Sequence, residues 1–175
     1  TGCTIKDNEN IGIVNRENGT ALIIGSTIAN NYYRDSGEGG NITNSNSADL
    51  RIENSTILTP QGTGLLVADG TVEILNTTFS GFNQAAPGQG GHPGIGVVEG
   101  TVHVTNSTIS EHGEASSGGG IGVDGGGTLT LQNSIVVGNT ACCGDADCEG
   151  PVISLGNNIV GDCSMTQQPT DNPGE

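Results

Sequence analysis

One internal spacing recurs along this chain while the connections around it change length. Two apolar residues two apart are followed, five residues later, by a third: Ala21, Ile23, Ile28; Leu50, Ile52, Ile57; Val72, Ile74, Phe79; Val102, Val104, Ile109; Leu129, Leu131, Val136. Successive sets begin 29, 22, 30 and 27 residues apart. A fixed offset inside a variable period of this size is the pattern of a solenoid whose repeats are single stacked coils. The offset of two is that of a strand with one buried face, and no segment carries helical periodicity.

Each repeat reads as three short extended pieces. The first is a glycine-flanked segment, Ile11-Gly-Ile13, Ile95-Gly-Val97 and Ile121-Gly-Val123, with looser versions at Ile42 and Leu65. The second begins Gly-Thr, at Gly70, Gly100 and Gly127, and the third reads Asn-Ser/Thr-Thr, at Asn54, Asn76 and Asn106. Glycines at the corners supply the positive-φ turns between pieces. Stacked coils pair strand on parallel strand about 4.8 Å apart, and such crossovers run right-handed in nearly all proteins. The expectation is an all-β fold, a right-handed parallel β-helix of about six short three-strand coils, roughly 30 Å long. Residues 1–163 form one domain, and 164–175 form an irregular polar tail.

Composition fits a thin solenoid lumen better than a thick core. The 175 residues include 31 glycines, no tryptophan, two tyrosines and two phenylalanines, with 32% apolar residues. Low hydrophobicity with a net charge of −15 is also the signature of disorder, but a disordered chain has no reason to keep the repeated offset. Four basic residues against 19 acidic ones argue against nucleic acid or an anionic membrane surface as partner. No apolar run approaches the roughly 20 residues of a membrane span. No secretory leader is visible, so the chain is cytoplasmic, already processed, or part of something longer.

Several polar positions stand out. An asparagine precedes the third strand at Asn54, Asn76, Asn106 and Asn133, with glycine in that slot at Gly2, Gly25 and Gly156. A buried asparagine ladder, each amide bonding its copies and turn backbone, is the expected reading. Asn54, Asn76 and Asn106 also begin N-x-[ST] sequons, as do Asn18 and Asn41, which lie off the column and are the glycosylation candidates. Arg51, Glu73 and His103 should share one outward column, with Arg51 and Glu73 as a cross-strand ion pair worth a few tenths of a kcal/mol.

Insertions follow the third strand at 30–39, 81–93, 111–118 and 139–150, and should project from one side of the helix. In repeat proteins such a side is often the binding face. Tyr32, Tyr33, Arg34, Phe82 and His92 are the candidates there, able to stack on sugar rings or simply to cover the helix edge. Asp145, Asp147 and Glu149 alternate and suit either weak calcium binding or plain acidic decoration. No other cofactor is implied.

Five cysteines complete the inventory: Cys142, Cys143 and Cys148 clustered, Cys163 after them, and Cys3 apart. Paired C-x2-C units of a zinc site are missing, so disulfides in an oxidising, extracellular setting are favoured. Cys3 lies about 20 Å or more from the others on the coil spacing, and is the odd thiol, free or bonded outside the chain.

The run from Gly118 to Asp162 resembles the large group of right-handed β-helix surface proteins of the pectin-lyase fold, which includes bacterial adhesin passengers and polymorphic outer-membrane proteins. The shared elements are G-G-I, G-T-L-T-L, N-S-x-x-x-x-N and D-C-x-G…S-x-G-N-N-x-x-G-D. The resemblance implies export, a place on the cell surface, and pairing of Cys148 with Cys163, while Cys142 and Cys143 stay unassigned. It covers nearly all the chain, but its motifs specify a fold rather than an activity.

Hydrolases of that fold carry clustered aspartates, G-H-G and R-x-K. Here Gly91-His92-Pro93 and Arg51-Ile52-Glu53 depart from the last two. Lyases set a basic residue beside calcium-binding carboxylates, whereas Lys6, Arg16, Arg34 and Arg51 all precede the acidic cluster by three or more coils. Glu111, His112 and Glu114 gather in one loop as solvated charges. A non-catalytic structural or adhesive β-helix is therefore expected. It would stack head to tail through its ends or continue into a longer β-helix, with carbohydrate as an outside partner. The alternative is a polysaccharide lyase or hydrolase whose site is incomplete here. The outward threonines Thr27, Thr56, Thr78 and Thr108 invite a third comparison, an ice-binding ladder, against which the long irregular insertions argue.

Overall fold

Three parallel sheets wrap around one apolar lumen. The computed structural model describes residues 1–31, 40–59, 62–81, 92–113 and 118–174. Sheet 1 stacks Ile13–Asn15, Gly40–Asn44, Thr63–Val67, Ile95–Val97, Ile121–Val123 and Cys148–Glu149. Sheet 2 stacks Thr20–Ile24, Asp49–Glu53, Thr71–Leu75, Thr101–Thr105, Thr128–Gln132 and Val152–Ser154. Sheet 3 runs from Thr4–Lys6 through Thr27–Ala29, Thr56–Leu58, Thr78–Ser80, Thr108–Ser110 and Ile135–Val137 to Ile159–Val160, and ends on Asn172–Pro173. The chain visits the sheets in the order 1, 2, 3, and every adjacent pair is parallel. The result is five regular coils, a sixth of shortened strands, and half-coils at either end.

The repeated offset is the inward face of sheets 2 and 3. Leu50, Val72, Val102 and Leu129 stack in one column, Ile52, Ile74, Val104 and Leu131 in the next. Ile28, Ile57, Phe79, Ile109 and Val136 form the column of sheet 3. All of these are buried. Each buried aliphatic side chain contributes on the order of 1.5–3 kcal/mol of transfer free energy, and because each coil touches only its neighbours, that stabilisation is distributed along the axis.

The corners explain the composition. Gly70 and Gly100 lead into sheet 2 at φ +88° and +90°, and a Cβ on either would collide with a backbone carbonyl of the preceding coil. Before sheet 3 the recurring slot also lies in the left-handed region: Gly2, Gly25, Asn54, Asn76, Asn106 and Asn133 have φ between +48° and +62°. Asparagine and glycine are the residues that tolerate that conformation.

Two expectations shift by small physical causes. The last coil's inward residue in sheet 3 is Val160, in register with Val136, whereas Ile159 faces out beside Ile135. One extra residue in the corner 155–158, with both Gly156 and Asn157 at positive φ, moves the phase. The tail 164–175 is mostly without regular structure, but within it Asn172–Pro173 adds a strand to sheet 3 and Met165 packs on the core.

Candidate functional site

The corner before sheet 3 carries a ladder, but not the asparagine one. Asn54, Asn76, Asn106 and Asn133 are exposed, and the only asparagine-to-asparagine bond described along the column is Asn76 Nδ2 to Asn54 Oδ1 at 3.2 Å. The next residue turns inward instead. Ser26, Ser55, Thr77, Ser107 and Ser134 are all buried. Each hydroxyl donates to the carbonyl two residues back, as Ser107 Oγ does to Thr105 O at 2.8 Å. Each also accepts the N–H of the coil before: Ser26 N–H from Ser55 Oγ is 3.1 Å, Thr77 N–H from Ser107 Oγ 3.1 Å, and Ser107 N–H from Ser134 Oγ 3.1 Å. Cys3 N–H joins at one end, on Ser26 Oγ, and Ser134 N–H donates to Asn158 Oδ1 at the other. Two buried backbone groups per coil are thereby satisfied.

The corner between sheets 3 and 1, from which the insertions leave, holds a second set of buried polar groups. Asn8 Nδ2 donates to Asn31 Oδ1, and Asn31 Nδ2 donates to Asn41 Oδ1 at 2.9 Å. Asn41 Nδ2 donates to Leu58 O and Thr59 Oγ1. Asn41 is fully buried, so the glycosylation expected there is not available to the folded chain; Asn18 is exposed on a turn at φ +58°. Farther along, His112 is buried at the same corner against Gly81 and Gly94. Burial pushes its pKa down to about 4, while a bond to the Phe79 carbonyl and the charge of Glu111 raise it by less. Among the described residues its Nε2 finds no hydrogen-bond partner.

Of the expected binding face, Tyr32, Tyr33, Arg34 and Phe82 lie outside the described residues, as does Glu114. His92 is half-buried, and that burial lowers its pKa. The three acidic residues weighed for calcium sit in different settings. Asp147 is buried, its Oδ1 accepting Asn139 N–H at 3.0 Å and Nδ2 at 2.8 Å, its Oδ2 accepting Asp162 N–H at 2.9 Å. Glu149 lies in sheet 1 beside Gly122, and Asp145 offers its backbone carbonyl to Gly118 N–H. Among the described residues no three His, Cys, Asp or Glu side chains converge as a metal site.

On the outer face of sheet 2 the expected column stands: Arg51 is opposite Glu73, and Glu73 opposite His103. Arg51 bonds to both Glu53 and Glu73. Those bonds, Glu53 first, raise its pKa. His103 Nδ1 lies 2.8 Å from Thr130 Oγ1. A hollow of about 310 Å³ opens at the first coils, lined by Thr20, Asp49, Arg51, Thr71 and Glu73, with Ala21 and Leu50 beneath. On sheet 3 the threonines Thr4, Thr27, Thr56, Thr78 and Thr108 stack in register and the column then changes to Ile135.

The two ends differ, which the sequence reading missed. At the C-terminal end every sheet is met by the tail. The Cys148–Cys163 disulfide joins the last strand of sheet 1 to the tail with Cα atoms 4.6 Å apart, Thr166 bridges to Ile153 of sheet 2, and Asn172–Pro173 pairs with sheet 3. Asp171 fastens this closure. It accepts Ser154 Oγ at 2.6 Å, Asn158 N–H at 3.0 Å and Gln168 N–H at 2.6 Å. Desolvation pushes its pKa up, but these bonds outweigh it and hold the carboxyl below the ordinary range.

At the N-terminal end the edge strands are Thr4–Lys6, Ile13–Asn15 and Thr20–Ile24. There the lumen residues Ile5, Ile13 and Ala21 are only partly covered, as is Ile11, and Val14 and Leu22 are half exposed. The family model described as right handed beta helix region matches residues 40–168, roughly three quarters of the chain. No curated protein and no solved structure matches it.

Proposed function

The chain belongs to the right-handed β-helix family, and on that premise we propose that it is a non-catalytic extracellular structural or adhesive element. In this reading its sealed C-terminal end terminates a β-helix, and its N-terminal face receives further β-structure. The observation that carries this is the asymmetry of the ends: one is closed by a disulfide, a bridge and an added strand, while at the other the edge strands have no further partner among the described residues and the isoleucines beneath are half covered. Unpaired parallel edges template the addition of another strand. A sealed face does not, so continuation into a longer β-helix fits better than a head-to-tail filament.

Carbohydrate is the surface partner this reading favours. The hollow beside Arg51 sets two carboxylates, a guanidinium and two threonine hydroxyls around an apolar floor, a mixture suited to sugar hydroxyls and ring faces. The basic residues Lys6, Arg16 and Arg51 belong to the first coils and Asp147 to the last, separated by about 20–30 Å on the coil spacing, too far to act on one bond.

The test is to incubate the full chain with immobilised acidic and neutral polysaccharides and measure retention and release together. Retention that weakens in the Arg51→Ala variant, with no new reducing ends or unsaturated sugars in solution, is the expected result. Steady release of either product would overturn the reading in favour of a lyase or hydrolase.

A further inference from the structure

The insertion after Ile135–Val137 is described throughout, and it is pinned on both shoulders. Thr140 N–H donates to His112 O at 2.8 Å on one side. On the other, Gly118 N–H donates to Asp145 O at 2.8 Å, Gly120 N–H to Ala146 O at 3.2 Å, and Ala146 N–H to the Asp162 carboxylate at 3.3 Å. Between the shoulders stand Cys142 and Cys143, both exposed, their Sγ atoms 2.9 Å apart. Gly144 follows at φ +77° and turns the chain back. Two adjacent thiols are thus presented to solvent by a loop anchored on its neighbouring coil.

We infer that Cys142 and Cys143 form a redox-active dithiol, a modification site that closes to a vicinal disulfide by exchange with small disulfide oxidants. One thiolate attacks the oxidant's S–S bond, forming a mixed disulfide and expelling one oxidant thiolate. The neighbouring sulfur, having lost its proton to solvent, displaces the second oxidant thiolate and forms the Cys142–Cys143 bond. The two cysteines are oxidised by two electrons and the oxidant is reduced to two thiols. The hydrogen bond between the pair raises the pKa of Cys142, and whichever thiolate forms first attacks, because the thiolate is the nucleophile.

This bond differs in kind from Cys148–Cys163. Adjacent residues hold their Cα atoms about 3.8 Å apart, below the roughly 4.4–6.8 Å of relaxed disulfides, so the ring is strained and reducible. Cys148 is fully buried and its bridge seals the helix end. Exposed, strained disulfides are the labile ones.

The experiment uses the full chain carrying Cys3→Ser, the residue type already present at Ser26 in that column. The folded protein is oxidised with glutathione disulfide, quenched with N-ethylmaleimide and weighed intact, with peptides mapped. The expected product has lost two hydrogens relative to the untreated dithiol, retains no glutathione and takes up no maleimide at Cys142 or Cys143. Mild dithiothreitol then restores both to alkylation while Cys148–Cys163 stays closed. The Cys143→Ser variant, its fold checked by circular dichroism, retains one glutathione per chain on Cys142. Three results overturn the proposal: a pair that remains open to alkylation after oxidation, glutathione retained on the unsubstituted pair, or reduction of Cys148–Cys163 first.

Discussion

A residue's neighbour decides its role in this chain. In the recurring Asn-Ser/Thr corner the asparagine supplies a left-handed φ and the hydroxyl supplies the buried bonds. Both are polar at a fixed offset, so the sequence cannot say which of two adjacent residues turns inward; the backbone angle says it. Ser107→Ala should cost about 1–3 kcal/mol, because it strands the buried N–H of Thr77. Asn106→Gly should fall within a few tenths of a kcal/mol, whereas Asn106→Val should cost about 1–2 kcal/mol for its strained φ. Urea unfolding of the three variants measures the contrast, and equal losses for Ser107→Ala and Asn106→Gly would return the ladder to asparagine. His112 adds a pH dependence. Above about pH 6.5 it is neutral in both states. As pH falls toward 4 the unfolded chain binds a proton that the folded chain, with its pKa near 4, does not. Unfolding is thereby favoured by about 3 kcal/mol in total over that window. His112→Asn, matching Asn31 and Asn139 at the same corner, should flatten stability between pH 6.5 and 4 relative to wild type.

At the scale of the element, the strands were the legible part and their connections were not. Alternation of buried and exposed residues is a direct consequence of the pleat, and it located the inward pairs from Ala21 to Leu131 and the opposition of Arg51 and Glu73. It failed at Ile159, where one added corner residue changes which side faces in. It also failed in the tail, where Met165 is the lone large apolar residue and the attachment is made by hydrogen bonds to Asp171. The aromatic candidates of the binding face lie in insertions that carry no repeat to fix their phase. Asp171→Asn should loosen the tail without unfolding the coils, seen as faster proteolysis after 163 with a small change in overall melting. Ile109→Ala should instead cost about 2–5 kcal/mol, as any fully buried aliphatic would. Equal protease resistance in Asp171→Asn and wild type would mean that the disulfide alone holds the closure.

The molecule as a whole is a one-dimensional stack with unlike ends. Stability in such a stack is a sum over coils and their interfaces, so an end coil with one neighbour opens more readily than a middle one. Sealing by the tail gives the last coil a neighbour in each of its three sheets. Its disulfide closes a loop of 15 residues and contributes about 3 kcal/mol. The first coil has no such closure among the described residues, and its lumen isoleucines are half covered. Hydrogen exchange along the folded chain tests this asymmetry most directly. The account predicts fast exchange in Thr4–Lys6, Ile13–Asn15 and Thr20–Ile24, with Val152–Ser154 and Ile159–Val160 protected nearly as well as the central coils. Equal protection at the two ends, or a C-terminal end that opens first, would contradict it.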